Sequence, residues 1–213
     1  MQKKKKDFFK TIKILVLCDM VVMFLAGCAS TANRVDAGTQ IDLTGRWNDS
    51  DVRIVCETLV DQCLNAAGVE RAIAQYSTSH RGELPTVIVG RFTNTSSEHI
   101  DTSIISKMME TAIINSGKLE FVASTDIREG IRDERVDQAY NAREDTAAAI
   151  GNEIGAAFML TGSVKSSVEK SDNTTVRAYF VDAQLTNIET NRIIWQEQNA
   201  DIKKVFKQTK ARL

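Results

Sequence analysis

From Asp49 onward, apolar and polar residues alternate with two distinct periods. Val52, Val55, Cys56, Leu59 and Cys63 recur at helical spacing, which predicts a helix capped by Ser50 or Asp51 and running to about Ala67, with Gly68 as its stop. A shorter helix through Ile73 and Tyr76 follows. Leu84 to Phe92 reads as a strand, and its Thr86-Val87-Ile88-Val89 core is apolar on both faces, as in a central buried strand. After a polar loop, Thr93 to His99, Asp101 caps a helix. Its Ile104, Ile105, Met108, Met109, Ala112 and Ile113 form a wide apolar stripe, and Gly117 ends it.

The second half begins with a short strand, Leu119 to Ala123, and a charged helix capped by Ser124 that carries Ile127 and Ile131. A loop near Asp137 to Asn141 leads to a predicted helix from Arg143 to Ile154, with Ala147, Ile150 and Ile154 inward and Gly155 as its stop. Three long strands follow: Ala157 to Glu169, Thr174 to Ile188 and Arg192 to Val205. Asp172-Asn173 and Glu189-Thr190-Asn191 are their turns, so the three are expected as an antiparallel meander. The order predicts an α/β fold, with one mixed β-sheet and helices packed on it.

Before Asp49 the pattern changes. Lys3, Lys4, Lys5, Lys6, Lys10 and Lys13 accompany an apolar run from Ile12 to Ala26, interrupted by Asp19. Leu25-Ala26-Gly27-Cys28 closes it, in the order of a bacterial lipoprotein signal with small residues before the cysteine to be acylated. Cys18 is a poor rival because bulky Leu17 precedes it. The alternative, a single-pass anchor, needs about 20 apolar residues. Ala29 and Ser30 follow Cys28 without an aspartate, so the expected address is the periplasmic side of the outer membrane. Residues 1–27 are thus expected as signal peptide, 28–48 as a polar tether, 49–205 as the globular domain and 206–213 as a basic tail. Twenty extended tether residues reach at most about 70 Å.

Charge and composition then narrow the function. The 213 residues carry a formal net charge of −1, and without the lysine-rich leader the remainder is mildly acidic, which does not suggest a nucleic-acid partner. Pro85 is the single proline, which excludes a Pro-rich spacer. His80 and His99 both fall in polar loops without metal-ligand spacing. Cys56 and Cys63, seven apart on one helix, have Cα atoms about 10.5 Å apart, too far for a disulfide, which needs under ~7 Å. They read as two small core thiols.

Glu129, Asp133 and Glu134 read as a solvated helix face. Gly151 and Gly155 read as a close helix approach and a stop. The lysines and arginine from Lys203 to Arg212 read as a solvated tail. No phosphate loop, nucleophile elbow or Ser-x-x-Lys pair is present. The expectation is a non-enzyme with no cofactor, metal or small-molecule substrate.

Five stretches carry a resemblance: Gly45-Arg46-Trp47-Asn48-Asp49; Val87 to Thr95, reading VIVGRFTNT; Asn115 to Val122, reading NSGKLEFV; Gly155 to Gly162, reading GAAFMLTG; and Ile193-Ile194-Trp195. In this order they resemble the penicillin-binding protein activator LpoB family over roughly Asp42 to Val205. The resemblance implies a fold like the N-terminal domain of TolB and an outer-membrane lipoprotein. It further implies binding to a bifunctional peptidoglycan synthase and stimulation of its glycan polymerisation and cross-linking, without chemistry of its own. No partner-contact residue carries over by motif. The better-known members have a long Pro-rich linker, and this chain departs from them there. The second reading is a structural or assembly lipoprotein of the outer membrane, related to secretion-channel subunits of similar fold.

Overall fold

The computed structural model describes residues 32–36, 38–143 and 153–208. The chain divides at Thr39/Gln40. In the first unit, the Asp36 side chain accepts from the Gly38 amide at 2.6 Å and the Asp36 carbonyl from the Thr39 amide at 3.0 Å. The signal peptide, Cys18, Cys28 and the segment 144–152 lie outside the described residues. Most of the helix expected over Arg143–Ile154 falls there too. Residues 153–156, which are described, are not helical.

In the second unit, helix α1 (Asp49–Leu64) starts two to three residues earlier than the pattern suggests. Asn48, not Ser50 or Asp51, is its cap. The Asn48 side chain accepts from the Asp51 amide while Asp51 accepts from the Asn48 amide, a reciprocal box that satisfies two otherwise orphaned donors. Val52, Val55, Cys56, Leu59, Val60, Cys63 and Leu64 are buried. Gly68 does not end this helix. It sits in the first turn of α2 (Ala67–Ser79), where an added Cβ would stand 2.8 Å from the carbonyl oxygen of Ile194. Glycine there lets α2 approach strand backbone.

Strand β1 (Thr86–Asn94) leads into α3 (Thr102–Ser116), capped by Asp101 and closed by left-handed Gly117, φ 64°. Ile105, Met109 and Ile113 form the buried stripe. Ile104, expected inward, is 50% exposed. The short β2 (Glu120–Phe121) precedes α4 (Thr125–Asn141), a continuous helix through the loop expected at Asp137–Asn141. Ile127 and Ile131 on it are exposed.

Strands β3 (Phe158–Ser171) and β4 (Thr174–Asn187) form the long hairpin. Asp172, at φ 48°, stands in its turn. The last expected strand is two pieces, β5 (Ile193–Asn199) and β6 (Lys203–Lys207), both antiparallel to β4. The break at 200–202 lets Ile202 turn inward while its carbonyl accepts from the Tyr179 amide, so the ladder is resumed after it.

The sheet order is β2-β1-β3-β4-β5, with β6 beside the first half of β4 and β5 beside the second. β1 runs parallel to β2 and β3, and the remaining pairings are antiparallel, so the sheet is mixed as expected. Helix α1 packs on α3, β4 and β5, α2 on β5, and α3 on β1 and β2. The strand alternation agrees: Tyr179, Val181, Ala183 and Leu185 of β4 are buried, and the residues between them are half-buried. Gly162 on this inner face lies against Phe92, whose ring occupies the place of the missing Cβ.

Candidate interaction surfaces

The residues singled out by type do not converge. Cys56 and Cys63 are both free and buried. Burial pushes both thiols up to about 12, with Glu57 adding to the effect at Cys56. A thiol protonated and shielded in this way is a poor nucleophile. Alkylation of Cys56 and Cys63 by iodoacetamide at pH 8 is therefore expected to be negligible in the native protein and rapid in urea. Mass mapping of the alkylated peptides checks this.

His80 caps the end of α2 and stacks on Tyr76, ring centroids 3.8 Å apart, with its Nδ1 3.0 Å from the Tyr76 carbonyl oxygen. Among the described residues, no three His, Cys, Asp or Glu are grouped to hold a metal. Glu129, Asp133 and Glu134 are exposed along α4.

What the fold does assemble is a polar clasp at the start of the second unit. Residues 40–48 lie over β4 and β6. Lys204 of β6 pairs at 2.6 Å with Asp42 and at 2.6 Å with Asp51, whose side chain is 1% exposed, and donates to the Arg46 carbonyl at 3.0 Å. The Lys204 side chain is itself only 9% exposed. This part of the basic tail, expected to be solvated, is a buried ion-pair partner.

One strand over, Arg177 pairs with Glu98 at 3.1 Å. Glu98 also accepts from the Tyr179 hydroxyl at 2.9 Å and from the Trp47 amide at 3.3 Å. Trp47 meets Tyr179 edge to face at 5.2 Å. Burial and the bond to Glu98 raise the Tyr179 pKa, so the phenol remains a donor. No local pattern marks this grouping, because Trp47, Glu98 and the Arg177–Tyr179 stretch of β4 come from three separate segments.

The second surface is the outer face of the sheet, on which no described helix packs. Its centre is Asp182, which pairs with Lys165 at 2.6 Å and accepts from Gln198 at 2.5 Å and Ser163 at 3.0 Å. Partial burial works to raise this carboxyl's pKa. The bonds from Lys165, Gln198 and Ser163 outweigh it and hold the group below the usual carboxylate range. Thr161, Gln184 and Gln196 line a shallow hollow beside it.

The third surface is a cleft between β2 and α4. Arg128, Arg132 and Arg135, spaced i, i+4 and i+7, project from one side of α4. Arg132 grips Glu153 with two bonds, 2.7 and 2.8 Å. Arg135 lies 3.8 Å from the same carboxylate. Phe121, Val122, Ile131 and Ile154 supply apolar wall.

Among the described residues, no helix is long and apolar enough to cross a membrane. Each of the three surfaces offers shape, charge and hydrogen-bond groups.

Comparison with known proteins bears on what such surfaces serve. Residues 51–200 match the family model described as Peptidoglycan-synthase activator LpoB. No curated protein is significantly similar in sequence. Among solved structures, the chain resembles the LpoB C-terminal domain from Escherichia coli at 17% identity and TM-score 0.42, over 74% of this chain and 99% of that one. It resembles the NMR structure of E. coli LpoB at 17% identity and TM-score 0.40, over 86% and 87%. Lipoprotein GNA1162 from Neisseria meningitidis is similar at 10% identity and TM-score 0.33, over 60% and 88%.

Proposed function

The chain belongs to the peptidoglycan-synthase activator LpoB family, and on that membership we propose that it binds a bifunctional penicillin-binding protein and raises its turnover. In this reading it is a lipoprotein held by acylated Cys28 on the periplasmic side of the outer membrane, and it performs no chemistry itself. The observation that carries the reading is the family match over residues 51–200, which runs from α1 to the end of β5. The lipoprotein signal ending at Cys28 supports the anchor.

Energetically, activation requires only that the domain bind the active form of the synthase better than the inactive one. A tenfold preference corresponds to about 1.4 kcal/mol. A modest interface of hydrogen bonds and apolar contacts supplies that without a catalytic residue.

The clasp alters the geometry of the anchor. Because residues 40–48 lie over β4 and β6, this reading counts 28–39 as the tether. Twelve extended residues reach about 40 Å. The synthase must therefore rise to meet the domain, or the two membranes must lie close.

The test is a pull-down from the envelope of the source organism with the full chain in mild detergent, followed by a glycan-polymerisation assay with the captured synthase. The expected result is a stable complex and a several-fold rise in polymerisation rate. Cys28→Ser is expected to leave both intact in solution while abolishing function in cells. Mass spectrometry of the envelope protein is expected to show an acylated Cys28. Failure to bind or stimulate any synthase of the organism would overturn the activator reading.

A further inference from the structure

We propose that the cleft between β2 and α4 is a binding site for a carboxylate carried on a short aliphatic group. The argument starts from the charge balance along α4. Three guanidinium groups, Arg128, Arg132 and Arg135, lie around Glu153, and Arg132 and Arg135 pair with it. Arg132 takes both oxygens of that carboxylate. Arg135 Nη1 is left at 3.8 Å, beyond hydrogen-bond length, and among the described residues the Arg128 guanidinium reaches only the Thr125 hydroxyl, at 3.5 Å.

Arg128 Nε and Arg135 Nη1 are nevertheless buried, and neither has a hydrogen-bond partner among the described residues. A buried polar atom without a partner is uncommon in a native fold and asks for an explanation. Arginine cannot relieve the cost by losing its proton. An oxyanion satisfies such donors best, because bonds to ionised acceptors are the stronger kind.

The walls select among oxyanions. Phe121, Val122, Ile131 and Ile154 are apolar, and the cleft has a volume of about 280 Å³. That holds a carboxylate and a few carbons. Inorganic phosphate would meet the arginines but leave its remaining oxygens against hydrocarbon, which is unfavourable. Glu120, exposed on β2, also lines the cleft and disfavours a ligand with a second negative charge. The same chemistry has two sources, a free small carboxylate or an acidic residue beside an aliphatic one on a partner protein. Only the second source rests on the activator reading.

The test is isothermal titration of the full chain in mild detergent with isovalerate, acetate and inorganic phosphate. Isovalerate is expected to bind more tightly than acetate by about threefold or more per buried methylene, and phosphate more weakly than isovalerate. Arg128→Gln combined with Arg135→Gln is expected to weaken isovalerate at least about tenfold through loss of two charge-assisted bonds. Circular dichroism and thermal melting confirm that the variant is folded. Saturating isovalerate that weakens capture of a synthase places the acid on the partner, and capture unchanged by isovalerate assigns the site to a free carboxylate. Absence of isovalerate binding, binding unchanged in the folded double variant, or phosphate binding as tightly as isovalerate would overturn the proposal.

Discussion

Ile113→Asp is expected to lower the stability of the domain by about 3–5 kcal/mol, because it places an unpaired carboxylate in the packed interior. Ile113 is 3% exposed on α3, in the stripe with Ile105 and Met109 that faces α1 and β1. The matching change nine residues earlier, Ile104→Asp, is expected to cost less than about 0.5 kcal/mol, the usual range for surface substitutions. Ile104 is 50% exposed, one step round the helix from fully buried Ile105. Urea unfolding followed by circular dichroism at 222 nm measures both. Equal midpoints for the two variants would mean that the buried face of α3 is misassigned.

Lys204→Met is expected to cost a similar amount, about 3–5 kcal/mol, for a different reason. Methionine replaces much of the apolar stem of lysine but removes its charge, and Asp51 stays 1% exposed with its partner gone. The desolvation of a carboxylate is tolerable while a cation stands 2.6 Å away and not when it is absent. Asp42, the other carboxylate on Lys204, is 39% exposed, and Asp42→Asn is expected to cost under about 1 kcal/mol. Adding Asp51→Asn to Lys204→Met is expected to recover part of the loss, since the buried charge then disappears. If the double variant is less stable than Lys204→Met alone, the charge argument fails and the capping role of Asp51 dominates.

The periodic elements were legible where burial follows period. The stripe of α1, the inward residues of β1 and the turns at Asp172 and Asn191 stand as the pattern indicates, because each depends on local chain geometry. Element ends were less legible. Gly68 reads as a helix stop, yet its function is to admit the Ile194 carbonyl from a strand some 125 positions away, a tertiary reason with no local sign. Ile104 makes the apolar stripe of α3 look wider than the face that is buried.

The break between β5 and β6 was illegible for a related reason. Asn199 and Ile202 are both buried across a three-residue interruption, and no period records that the ladder resumes beyond it. For the interaction surfaces, residue type was a poor guide. Cysteines, histidines and acidic runs draw notice in a sequence, whereas Lys204 gains its importance only from Asp51 and Asp42 at the other end of the domain.

That last pairing sets an order of events during synthesis and export. Asp42 and Lys204 are 162 positions apart, so the N-terminal edge of the domain cannot close until nearly all of it has emerged. At about 5–20 residues per second, elongation alone separates the two by roughly 8–30 seconds. Throughout that interval Asp51 has no Lys204 to pair with, so its carboxylate cannot be buried at low cost. The long β3–β4 hairpin is contiguous in the chain and needs no such wait. Closure of the N-terminal segment therefore waits, with the pairing of β5 and β6, for the last part of the domain, so that some of its first residues to appear are held back by some of its last.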